Sequence, residues 1–217
     1  MAKVLVAEVF VYLGIFFAYI WFALPMVGPV RWYHAAFVLF AVAFPVGMNL
    51  LHGDRPRDSG LRVDNLAAAA REVGAAALVM GLGVAAVGLA VGGFHRGAGH
   101  ADKYVLYLLW GPFQQYVLQA FAVRRFRQAG LGGWTAVSLA AILFGLCHAP
   151  NWVLMVLTTV AGVVWGRLFL RHPNLIAVGL SHGLLAILLY HAWPEDWTQH
   201  LTIGGEYLQR MGAGGGG

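Results

Sequence analysis

The sequence predicts an all-α, polytopic membrane helix bundle of about seven transmembrane helices. Three observations predict it. Hydrophobic residues make up 60% of the 217 residues and charged residues only 11%. The mean hydropathy is +0.70. The apolar residues also fall into long runs rather than into the alternation of strands. A soluble domain carries about a quarter charged residues, so this chain could not clothe a water-facing surface. Residues 1–192 read as one transmembrane domain, and 193–217 as a short external tail, Gly-rich and disordered at its end.

A span needs roughly 20 apolar residues at a rise of about 1.5 Å each. That template selects residues 4–24, 30–51, 73–93, 103–123, 134–148, 152–170 and 175–191. The first run has no short apolar core followed by a small-residue cleavage site, so it is expected to be a retained helix rather than a signal peptide. Arg31, Trp32 and Tyr33 read as an interfacial anchor of the second run. Asp64-Asn65 is placed to cap a helix leading through an alanine tract into the third. Gly74, Gly81 and Gly88, seven residues apart, predict a smooth packing face there. The fifth run is short and ends at Ala149-Pro150-Asn151, a helix-stopping sequence. Trp193 and Trp197, with Glu195 and Asp196, read as an amphipathic exit at the opposite surface.

Loop charges give the orientation. Lys3, Arg55, Arg57, Arg62, Arg71, Arg124, Arg125, Arg127, Arg167 and Arg171 fall on one side. Arg31, Arg96, Lys103 and Arg210 fall on the other, with Asp102, Glu195, Asp196 and Glu206. The excess of Lys and Arg predicts a cytoplasmic N-terminus, in a bacterial inner membrane or one of that type. The net charge of +5 is distributed in these short loops, which argues against a nucleic-acid partner. Arg124, Arg125 and Arg127 read as a topology determinant and, second, as a contact for anionic lipid. The single cysteine, Cys147, excludes an internal disulfide. Glu8, near the start of the first span, is expected to snorkel to the surface or to find a local partner.

Polar side chains inside a span are costly unless partnered and so mark candidate sites. The fourth run holds Gln114, Gln115 and, one turn on, Gln119, within Gly-Pro-Phe-Gln-Gln-Tyr-Val-Leu-Gln. The fifth ends Phe144-Gly-Leu-Cys-His148, and the seventh carries Ser181-His182. Gln115 and Gln119 share a helical face.

In order and spacing these stretches resemble the CPBP superfamily, the CAAX-prenyl-protease-2 and bacteriocin-processing intramembrane proteases. The family's Glu-Glu-x-x-x-Arg corresponds to Gln114, Gln115 and Gln119; its Phe-x-x-x-His to Phe144 and His148; its His-x-x-x-Asn/Asp to His182 and Ala186. Asp58-Ser-Gly-Leu-Arg62 and Pro173-Asn-Leu-Ile also resemble family text, so a CPBP-like core is expected over about 55–190. The resemblance implies that Gln114, Gln115, His148 and His182 occupy the positions of a protease site, supported by Gln119, Phe144 and Ala186. In the family, the glutamates activate water.

General-base catalysis needs a group that accepts a proton near neutral pH, and a glutamine amide is no such group. The arginine that would offset an acidic pair is replaced as well. Between Glu72 and Glu195 the one carboxylate is Asp102. Three readings follow. The first is a non-catalytic binding or accessory subunit of a membrane assembly, holding a hydrophobic helix, lipid or isoprenoid, or other membrane subunits. The second is an active CAAX-type endopeptidase or hydrolase with an altered site. The third is a protein in which His148 and His182 ligate a metal or a tetrapyrrole pigment; a third protein ligand for zinc would have to come from His34, His52 or His191. A neutral Gln/His network that only fixes the bundle is the bland alternative, since each amide both donates and accepts.

Overall fold

The computed structural model describes residues 1–27, 31–94 and 101–214, and the side chains of Val27, Arg31, Ala101, Asp102, Lys103, Ala213 and Gly214 are outside that description. Arg96, used above for orientation, lies outside the described residues, as do the side chains of Arg31, Asp102 and Lys103. The described residues form helices and connections without a strand.

Helix α1 (Ala2–Ala18) continues through a widened, π-type turn (Tyr19–Ala23) into Leu24–Val27. Pro25 cannot donate the helical bond back to Trp21, and the chain bridges the gap with Leu24 N–H donating to the Tyr19 carbonyl, five residues back. Helix α2 is Arg31–Leu51 and α3 is Leu66–Ala90. Helix α4 begins as Ala101–Gln115, widens to π geometry over Tyr116–Val123 and ends as Arg124–Gln128. Helices α5 (Gly133–Leu146), α6 (Trp152–Arg171) and α7 (Leu175–Ala192) follow. Five of these stretches are long and apolar enough to cross a membrane: Ala2–Met26, Trp32–Leu51, Leu66–Ala90, Trp152–Arg171 and Leu175–Ala192. The other two expected spans are also helical: α5 is apolar but 14 residues long, and α4 carries the glutamines. The protein is an integral membrane helix bundle.

Apolar side chains cover the outside, as lipid contact requires: on α3, Leu78, Val79, Leu82 and Leu89 are all exposed. Inside, one cluster joins α1, α4 and α5 through Tyr12, Phe121, Phe126 and Ala140. A second joins α3, α6 and α7 through Val73, Trp165, Phe169 and Val178. Glycines set the closest approaches. A Cβ at Gly111 would lie 2.7 Å from the Gly179 carbonyl oxygen, and one at Gly183 would lie 2.7 Å from the Tyr107 carbonyl oxygen, so α4 and α7 touch backbone to backbone. Gly145 and Gly162 do the same between α5 and α6, and Gly166 makes room there for the Val137 side chain. On α3, Gly81 and Gly88 face α7, but Gly74 faces open space, so the expected seven-residue face is used over only part of its length.

The basic loops interlock at one end. Leu175 N–H donates to the Gly60 carbonyl at 2.9 Å, and Asn174 bonds both the Arg62 carbonyl and the Asn65 side chain. Asn65 sits at the start of α3 without capping it; its amide instead donates to the Pro173 carbonyl. The family-like segments around Gly60 and Asn174 are thus each other's partners.

Of the three arginines in the last turns of α4, read from sequence as a topology determinant and second as a lipid contact, two are bonded to Asp54. Arg125 is fully buried, bonded to Glu8, Asp54, Asn49 and Gln128. Arg124 pairs with Asp54, and Arg127 donates to the Leu131 carbonyl. A charge deep in a bundle demands partners, and Glu8 of α1, Asn49 of α2, Asp54 of the α2–α3 loop and Gln128 of the same helix supply them. At the opposite end, residues 204–214 form helix α8 rather than a disordered tail as far as Gly214; residues 215–217 lie outside the described residues. Trp193 donates its indole N–H to the Val84 carbonyl, tying the chain after α7 to α3.

Candidate functional site

Helices α6 and α7 splay apart where α7 leans on α3 and α4, and the gap is a cavity of about 520 Å³. That size suits a drug-sized or lipid-like ligand. Its polar lining includes Tyr107, Gln114, His148, Thr158 and His182, and Ala186 contributes a methyl group. Val87 on α3 and Val160 on α6 line the cavity and are also exposed on the outside of the bundle, so the cavity opens laterally between these two helices. Among the described residues that line it, none carries a carboxylate or an obligate positive charge.

The expected site residues converge, but they do not all reach the cavity. Gln114 lines it; Gln115 and Gln119 are buried behind it. Gln119 Nε2 donates to Gln115 Oε1 at 3.1 Å, and Gln115 Nε2 donates to His182 Nδ1 at 3.2 Å. In this orientation His182 carries its proton on Nε2. Gln119 Oε1 is buried and accepts nothing, the acceptor at the end of the chain of amides. His182 is stacked on Trp165, with centroids 4.7 Å apart.

His148 is fixed from its own helix. Its Nδ1–H donates to the Phe144 carbonyl at 2.8 Å, and Thr158 Oγ1 lies 3.3 Å from the same nitrogen. A carbonyl can only accept, so the neutral ring keeps its lone pair on Nε2. The spacing Phe-x-x-x-His places the Phe144 ring edge-on to His148 at 4.9 Å and to His182 at 5.9 Å. Phe144 is therefore the spacer that holds the two imidazoles. Cys147, beside His148, is buried and lines a smaller space adjoining the cavity.

Among the described residues no three His, Cys, Asp or Glu side chains cluster as metal ligands. The three histidines named as further ligands are engaged elsewhere: His34 with Tyr19, His52 with Glu8, and His191 with Tyr104. His52 and Arg125 both hold Glu8, the local partner expected for it. A metal or tetrapyrrole at His148 and His182 would have two protein ligands at most from this set, short of the three usual for catalytic zinc.

Several residues that shape the site were not singled out in the sequence. Trp165 and Thr158 read as ordinary residues of an apolar helix. Asn151 follows the helix-stopping proline, where an Asn commonly begins a helix, and it does cap α6 by accepting from Leu154 N–H.

Residues 102–188 match the family model for type II CAAX prenyl endopeptidase Rce1-like proteins. The matched stretch contains Gln114, Gln115, Gln119, Phe144, His148, His182 and Ala186, every residue of the candidate site. This similarity covers under half of the chain and agrees with the CPBP resemblance of the same stretch. No curated protein and no solved structure matches the chain.

Proposed function

We propose that this protein is a non-catalytic member of the CPBP type that holds an uncharged apolar ligand, an isoprenoid chain above all, as an accessory subunit of a membrane assembly. One observation carries the reading: a lateral, largely apolar cavity at the family's site whose polar lining is wholly neutral. The positions that would hold a general base are amides, and the one nearest the ligand, Gln114, offers hydrogen bonds without a proton-accepting charge. The apolar walls and the opening between Val87 and Val160 suit a ligand that arrives from the bilayer. The basic end of the bundle supports a cytoplasmic N-terminus in a bacterial inner membrane.

A second reading is an altered hydrolase. It is favoured by His148, which lines the cavity and whose Nδ1 is committed to a carbonyl, leaving Nε2 as an acceptor for a water proton. The two readings separate when purified protein is incubated with a library of isoprenylated peptides and with a radiolabelled isoprenoid alcohol. The alcohol is expected to be retained, less so by His182→Ala, with every peptide intact. Peptide turnover that vanishes in both His148→Ala and His182→Ala would overturn the non-catalytic reading.

A further inference from the structure

Part of the cavity lining, Leu201 and Ile203, comes from beyond the C-terminal end of the family-matched stretch. Gln199, His200 and Leu201 have φ of 47°, 54° and 60°. Three successive residues with side chains avoid this left-handed region, because Cβ crowds the following carbonyl. Such a run persists where its surroundings over-determine it, and it marks places where side-chain direction matters.

The surroundings here are explicit. Asn151, three residues after His148 and wholly buried, donates to the Thr198 carbonyl at 2.9 Å and to the Thr202 carbonyl at 3.2 Å. Thr202 Oγ1 donates to the Gln199 carbonyl at 2.6 Å, and Gly204 N–H donates to the Ala149 carbonyl at 2.8 Å. On the other side, Gly204 and Gly205 press against the widened turn of α1: an added Cβ would lie 2.5 Å from the Ile20 carbonyl oxygen and 2.7 Å from Pro25. The segment is pinned between the α5–α6 turn and α1. Held there, Leu201 and Ile203 line the cavity, and Ile203 also lines the smaller space that reaches Cys147.

We propose that Leu201 and Ile203 are specificity-determining residues: they close the end of the cavity beside His148 and set the length of the apolar chain it accepts. This rests on the reading that the cavity holds such a chain. Leu201→Gly removes the side chain and relieves the left-handed strain together, so the variant keeps its fold. Combined with Ile203→Ala it frees space for about one further isoprene unit.

The experiment is retention of radiolabelled isoprenoid alcohols of increasing length by the full chain in detergent. The double variant is expected to prefer an alcohol one unit longer than the wild type, and Leu201→Phe a shorter one. A preference unmoved in both directions overturns the proposal. If neither wild type nor variants retain any alcohol, the ligand reading fails, and the wall is decided by the one cysteine. Alkylation of buried Cys147 several-fold faster in the double variant than in the wild type supports the wall; equal rates overturn it.

Discussion

Gln119 donates its side-chain amide to Gln115 Oε1 at 3.1 Å, so two side chains one helical turn apart are joined by a neutral hydrogen bond. Both residues are buried, and Gln115 passes the chain on to His182. Each amide both donates and accepts, so the chain of bonds runs through the buried helices without a charge.

Gln115→Glu alone should therefore be damaging. A carboxylate at this fully buried place would face Gln119 and His182 without a cation, and an unpaired buried charge costs about 3–5 kcal/mol. Adding Gln119→Arg should recover part of the loss by restoring the pair. Thermal unfolding in detergent measures both; a double variant no more stable than Gln115→Glu would show that the two positions are not coupled.

Arg125→Ala should cost about 3–5 kcal/mol, because it leaves Glu8 and Asp54 without their shared buried partner. Arg127→Ala removes an exposed guanidinium bonded to a loop carbonyl and should stay within about 0.5 kcal/mol of wild type. Equal losses in the two unfolding midpoints would contradict the burial that separates neighbouring arginines.

The sequence carried the fold class through composition, and the helix order through the lengths of its apolar runs. His148 and His182 were legible as candidates because polar groups in apolar helices are conspicuous, and Phe144 only through its spacing from His148. What separates Gln114, at the cavity, from Gln115, behind it, was not legible: adjacent residues on a helix point about 100° apart, and only the packing against α7 decides which of them faces inward. Arg125 looked like its neighbours for the same reason, since its burial depends on Asp54 and Glu8, far away in the chain. The cavity wall at Leu201 was hidden by a backbone conformation that no residue type there announces.

Acid should weaken the loop end of the bundle through Asp54. Burial pushes this carboxyl up, but hydrogen bonds from Arg124 and Arg125 outweigh it and hold the group below the ordinary carboxylate range. A folded-state value below the unfolded one means the contribution is fully present above the ordinary range and fades as pH falls through the depressed value. The stability gap between wild type and Asp54→Asn, about 2 kcal/mol at neutral pH, should close on acidification. A gap constant down to strongly acidic pH would remove Asp54 from that role.

Two glycines test whether close backbone approach, rather than glycine content, holds the bundle. Gly60 has φ of +77°, and an added Cβ would sit 2.7 Å from the Phe169 ring and 2.9 Å from Leu175 N. That nitrogen donates to the Gly60 carbonyl, the bond that ties the α2–α3 loop to the start of α7. Gly60→Ala therefore suffers both left-handed strain and overlap with a backbone atom that cannot turn away, together about 3 kcal/mol. Gly74 lies within α3 with nothing near its open side. Gly74→Ala adds a methyl group facing outward and restores helix propensity, so it should be neutral or stabilising by up to about 1 kcal/mol. Unfolding midpoints of the two variants in the same detergent should fall on opposite sides of, or level with and well below, the wild type; a large loss at Gly74 would mean that α3 is packed against a surface on that side.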